Sequence, residues 1–318
     1  MAGHHPSPAP PRVPPSGLPA PGGPGYYYAP PRRPPRRSAG GTIAALVGGL
    51  ASLAVLAVLG FTLFGPGEGG PIRPGSAAPV AREKATANPL YKTGALGGNG
   101  CALPVITPGT EPMRRFMNIL SDCLDHVWER QFGKADLPFD PPKRVFWDQP
   151  GTSPCGTYPT PGASAFYCPA NNTMYVGLKH IVETSGGEPL AHFAVFARVI
   201  AHEYGHHVQD RAGILAYGQQ QMENAGSLAR VEVSRRIELQ AQCLAGAFLG
   251  AERRTLPMTR LQYLAMMEDV QGRGDERQPP ELRDHGSGRA YAGWVRTGYL
   301  KQRLAYCNTW TAATDAVS

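Results

Sequence analysis

His202-Glu203-Tyr204-Gly205-His206 constrains this chain more than any other stretch. Histidines four residues apart share a face only if the backbone between them is helical, and there they can hold one metal ion together. Glu203 then emerges beside the metal, where it can take a proton from a metal-activated water. The surroundings favour a helix. No proline interrupts Leu190 to Gln209, and Phe193, Phe196 and Ile200 recur at helical spacing. Val195 and Val199 lead into His202 and His206 on a second stripe, so the histidines extend a buried face. His207 adjoins a candidate ligand but faces elsewhere on the helix, and His126, His180 and His192 are scattered.

A catalytic zinc usually takes three protein ligands and keeps one position open. The third is expected from a later helix packed on the first. Glu238 is the best candidate, because its face continues through Ala241 and Ala245, small enough for close helix approach. A carboxylate on such a face needs a partner, which a cation supplies. Glu232 is the next choice, but it sits among Arg230, Arg235 and Arg236 and reads as an exposed ion-pair member.

Charge excludes one function class. The formal net charge is +7 over 318 residues, yet residues 1–41 hold five arginines and no acid. The remainder carries 26 basic against 24 acidic residues, so no nucleic-acid surface is expected on the folded part. Residues 1–41 are rich in Pro, Gly and Tyr and should form a disordered cytoplasmic tail. Residues 42–64 are uninterruptedly apolar and long enough for one transmembrane helix in a lipid bilayer. Arg32, Arg33, Arg36 and Arg37 just before it place the N-terminus in the cytoplasm and the remainder outside the plasma membrane. The span is too long for a signal peptide and no cleavage site follows at the right distance, so a single-pass anchor is expected. Residues 65–100 read as a flexible Gly/Pro/Ala linker, with the folded domain at 101–318.

All six cysteines lie in that domain, which suits an oxidising compartment. Fifteen pairings are possible. The preferred set is Cys101–Cys123, Cys155–Cys168 and Cys243–Cys307, the middle pair closing a short Pro/Gly-rich loop. No C-x-x-C occurs, which argues against cysteine ligation of zinc.

Helices are expected over Thr110 to Phe132, Leu228 to Ala251, Arg260 to Val270 and Tyr291 to Tyr306. Strands are expected at Val145 to Trp147 and Thr173 to Leu178, with Gly151 to Gly162 a loop and Gly213 to Ser227 a loop or frayed helix. The Thr173 strand is either a sheet edge that pairs with an extended peptide or simply a buried strand. The fold class is therefore α+β: a mainly helical, zincin-like domain with a small β-sheet.

Four ordered motifs, FYCPANNTMYVGL, RVIAHEYGHHVQD, ELQA-x-C-x-AG and HGSG…CNTW, resemble the family known as putative neutral zinc metallopeptidases of bacterial membrane-anchored proteins. The resemblance covers roughly residues 101–310. It implies one zinc ion held by His202, His206 and Glu238, with Glu203 as catalytic base and a peptide or protein as substrate. The chain departs from the family pattern at Gln242, where an aspartate is usual. An aspartate there accepts a hydrogen bond from a ligand histidine, and Gln242 can do so only through its uncharged carbonyl.

The expected reaction is peptide-bond hydrolysis by a zinc-activated water. A second donor for the tetrahedral oxyanion is expected from His285, with Tyr291 behind it, or else His285 only shapes its loop. The alternatives are a catalytically weak or inactive zinc-binding scaffold, which Gln242 favours, and a zinc hydrolase acting on another amide such as a cell-wall crosslink.

Overall fold

The computed structural model describes residues 78–160, 163–256 and 258–318. The expected tail at 1–41, the expected span at 42–64 and residues 65–77 lie outside them. Among the described residues no helix is long and apolar enough to cross a membrane.

The chain is folded earlier than its composition suggests. Residues 78–100, expected to be linker, contain a short helix α1 (Glu83–Thr86) and a 3-10 turn Pro89–Lys92. Leu90 and Leu96 are buried. The Asn88 side chain caps the turn at Leu90 N and donates to the Ala212 carbonyl. A few apolar anchors and one capping residue fix a segment too short for periodicity to reveal.

The long helix α2 (Thr110–Gly133) buries Phe116, Leu120, Leu124 and Val127, the three-to-four repeat read from sequence. A three-stranded sheet follows, built from β1 (Lys143–Trp147), β4 (Ala165–Cys168) and β5 (Thr173–Gly177) in the order β1-β5-β4. β1 runs parallel to β5, with Val145 opposite Tyr175, and β4 runs antiparallel to it, with Tyr167 opposite Met174. The stretch from Gly151, expected to be loop, carries a small hairpin of β2 (Gly151–Ser153) and β3 (Gly156–Tyr158). Its strands are too short to show alternation.

After the four-residue α3 (His180–Glu183) comes α4 (Phe193–Arg211), the helix of the histidine motif, buried over nearly its whole length. Residues expected to be loop or frayed helix after Gly213 form a true helix, α5 (Ile214–Glu223). Ile214, Leu215, Gly218 and Met222 give it a buried face. Then come α6 (Ser227–Ala251), α7 (Arg260–Gln271) and α8 (Gly288–Lys301). α8 is shorter than expected, because Gln302 takes a left-handed conformation (φ 55°) and a 3-10 turn Leu304–Cys307 replaces the rest.

α6 packs against α4 on one side and α8 on the other, and backbone approach sets both distances. A Cβ built at Gly205 would lie 3.0 Å from the Ala241 Cα and carbonyl oxygen. On the other side a Cβ at Gly298 would lie 1.9 Å from the Cys243 carbonyl oxygen. Disulfides join Cys101 to Cys123, Cys155 to Cys168 and Cys243 to Cys307, with Cα separations of 5.4–5.7 Å. The mainly helical layer with its small sheet is an α+β fold.

Candidate metal centre and cleft

α4 presents His202 and His206 on one face, their Nε2 atoms 3.2 Å apart. α6 presents Glu238 to the same point. Its Oε2 lies 3.3 Å from His202 Nε2 and its Oε1 3.6 Å from His206 Nε2. The three donor atoms fall within 4.8 Å of one another, and all three residues are buried. Glu238 reaches the histidines because the Gly205–Ala241 contact lets α6 lie close to α4, so the small residues flanking the motif set the geometry of the donors. Glu232 is elsewhere and pairs with Arg236 at 2.8 Å.

The electrostatics of the three donors suit a bound cation. Burial pushes His202 down to about 3. On His206 the opposing effect of Glu238 outweighs burial and raises it to about 9. Burial would raise Glu238, but His206, His285 and His202 hold it well below the usual carboxylate range. Two imidazoles facing one carboxylate cannot both stay protonated without repulsion. Two imidazole nitrogens and one carboxylate, buried and convergent, fit the ligand chemistry of zinc.

One outer contact of these donors was not foreseen. His206 Nδ1–H donates to Gln209 Oε1 at 3.0 Å, which leaves Nε2 for a metal. Gln209 is itself held, its amide donating to the Ile237 carbonyl at 2.8 Å and to Gln240 Oε1 at 3.0 Å. Its place in the same helix, three residues after His206, was the available signal. Gln242 does not take the corresponding part for His202. Its side chain lines the cleft with Tyr291, while Gln242 Oε1 and His202 Nδ1 both lack a hydrogen-bond partner.

Glu203 lies beside the donor set, only 8 % exposed. Burial, reinforced by Glu238, pushes its carboxyl up to about 7, against the charges of His206 and Arg198. The backbone N–H of Tyr167 in β4 faces it and favours its charged form. The Tyr167 hydroxyl ties this strand to α4, donating to Asp210 at 2.7 Å. β4, not the Thr173 strand, is therefore the sheet edge at the site. Thr173–Gly177 is the central strand and buried at every position. Among the described residues no strand pairs with the outer side of β4.

His285 joins the centre from the loop before α8, its Nε2 3.9 Å from Glu238 Oε2. Asp284 holds the ring, accepting from Nδ1 at 2.8 Å, and the ring stacks loosely on Tyr291. Burial would lower its pKa, but Glu238, Asp284 and Asp275 outweigh it and raise it to about 9. His207 points away, buried among Phe139, Tyr167 and Tyr204. His126, His180 and His192 lie outside the cleft, whose lining includes Ala163 to Tyr167, His202, Glu203, His206, Glu238 and His285.

These features define a class: three buried candidate metal donors on two packed helices, with a carboxylate beside them and a strand edge along the cleft. The chain belongs to the family described as "Putative neutral zinc metallopeptidase", which matches residues 108–310. It is 29 % identical over 217 residues to the uncharacterized protein YpfJ of Escherichia coli (strain K12), covering 64 % of this chain and 74 % of that one. It is 32 % identical over 218 residues to the uncharacterized proteins Mb2605 of Mycobacterium bovis and Rv2575 of Mycobacterium tuberculosis, covering 60 % of this chain and 69 % of theirs. No solved structure matches it.

Proposed function

We propose that this chain is a zinc-dependent metallopeptidase, anchored in the plasma membrane by residues 42–64 with its catalytic domain outside. The observation that carries the reading is the convergence of His202, His206 and Glu238 on one point with the Glu203 carboxylate beside it. A zinc ion held by those three side chains would supply Lewis acidity, making a water acidic and polarising the scissile carbonyl. Glu203 accepts the water proton and returns it to the leaving amine, and a carboxyl raised toward neutrality suits both transfers. The free edge of β4 aligns an extended peptide by main-chain hydrogen bonds. His285, oriented by Asp284, donates from Nε2 to the developing oxyanion.

The anchor reading rests on the apolar run and the arginines before it, and the disulfides agree with an oxidising compartment on the far side. A second reading, a zinc-binding scaffold with little turnover, is favoured by the unpartnered His202 Nδ1 and Gln242 Oε1. One experiment separates the two. The zinc-loaded full chain is incubated with a peptide library and the digest read by mass spectrometry, with Glu203→Gln alongside. The peptidase reading expects about one zinc per chain in both proteins and a loss of about 10²- to 10⁴-fold in turnover for the variant. Zinc binding without cleavage in either protein would leave the scaffold.

A further inference from the structure

Arg198 sits one helical turn before His202, about 6 Å along the axis, and is only 2 % exposed. Burying a guanidinium among apolar residues is costly unless its charge is matched. Here it is matched only in part. Arg198 Nη2 donates to Asp269 Oδ2 at 2.5 Å. The same carboxylate is already gripped by Arg273, through Nε to Oδ2 and Nη2 to Oδ1, each at 2.9 Å. Two guanidiniums thus share one carboxylate, an excess of one positive charge. Arg198 Nε, buried, has no hydrogen-bond partner.

Both arginines line the cleft with His202, Glu203 and Tyr291. The nearby carboxylates do not cancel the excess. Glu203 and Glu238 face the candidate centre with His202 and His206, so the charge of Arg198 remains for something that enters the cleft. The Arg198–Asp269 pair alone fastens α4 to α7, and Arg273, four residues after Asp269, brings the second guanidinium onto the same carboxylate.

We propose that Arg198, braced by Asp269 and Arg273, is a specificity-determining residue, and that the substrate carries a carboxylate within a residue or two of the scissile bond. This rests on the peptidase reading and narrows it to a substrate class. The carboxylate is either an acidic side chain or the free end of the peptide.

The test uses the zinc-loaded full chain and matched peptides. One arm compares Glu with Gln at each position flanking the cleaved bond in peptides with amidated ends. The other compares free with amidated carboxyl ends. The expected result is an advantage of about 10- to 100-fold in kcat/KM for the carboxylate in one arm, carried mainly by KM. That arm identifies its source. Arg198→Met, which leaves Asp269 and Arg273 as a matched pair, should bring the ratio close to one, and Arg198→Lys should restore part of it. The same pairs are titrated by calorimetry into Glu203→Gln, so the preference is read as binding even where nothing is cleaved. Ratios near one in both arms, or a preference that Arg198→Met leaves intact, overturn the assignment. Absence of cleavage with the binding preference retained would instead count against the peptidase reading alone.

Discussion

Gln209 and Glu203 bracket the histidine pair and act on it in different ways. Gln209 accepts a hydrogen bond from the Nδ1–H of His206 and so fixes which nitrogen faces the candidate metal position. Gln209→Leu should weaken zinc affinity about 10- to 100-fold, measured by competition with a chelator, with little change in fold. In the role of base proposed above, Glu203 would act only when deprotonated. Its carboxyl stands at about 7 without a cation. A bound dication favours the charged form and lowers that value, so kcat/KM should fall along an acid limb below pH 7. The pH–rate profile checks this. The histidines and Glu238 were legible because ligand chemistry demands a fixed spacing and a small-residue face. Gln209 was not, since a glutamine three residues on is equally at home on a solvated helix. Nor was the pairing of Arg198, whose partner Asp269 lies 71 positions away.

At the scale of elements, the site depends on how closely α6 can approach α4. Gly205 stands between the two histidines, where an added Cβ would lie 3.0 Å from the Ala241 backbone. Gly205→Val should push the helices apart, costing about 1–3 kcal/mol of stability. Zinc affinity should fall with it, because Glu238 moves with α6. Denaturant unfolding and chelator competition measure the two effects. On the far side, Gly298→Ala meets a carbonyl oxygen and should destabilise the α6–α8 contact without touching a donor. The long helices were readable from periodicity and the absence of proline. α1, the β2–β3 hairpin and the order of the sheet were not. Their few residues carry no period, and which strand lies at an edge is a tertiary fact that no local pattern encodes.

Across the whole molecule, stability concentrates where charges and crosslinks are buried. Removing one partner of a buried ion cluster leaves the others uncompensated, and Asp269→Asn should cost about 3–5 kcal/mol. Burial would raise the Asp269 pKa, but Arg198 and Arg273 outweigh it and hold it lowered. Its contribution is thus complete above the unfolded value of about 3.9 and is lost as pH falls through the lower folded one. The loss of stability that Asp269 carries should begin only below about pH 4, and the Asp269→Asn variant, with no carboxyl to titrate there, should lack that component of the pH dependence. Thermal melts across pH show both.

The early start of the fold shortens the tether proposed for this protein. Val80 N already donates to Gln220, so the chain is pinned near residue 80 rather than residue 100. From Phe64 to Ala78 a fully stretched backbone reaches at most about 50 Å, against about 125 Å had the slack run to residue 100. With the anchor proposed above in place, a cleft on so short a leash would work on what lies near the bilayer surface and could not patrol the space beyond.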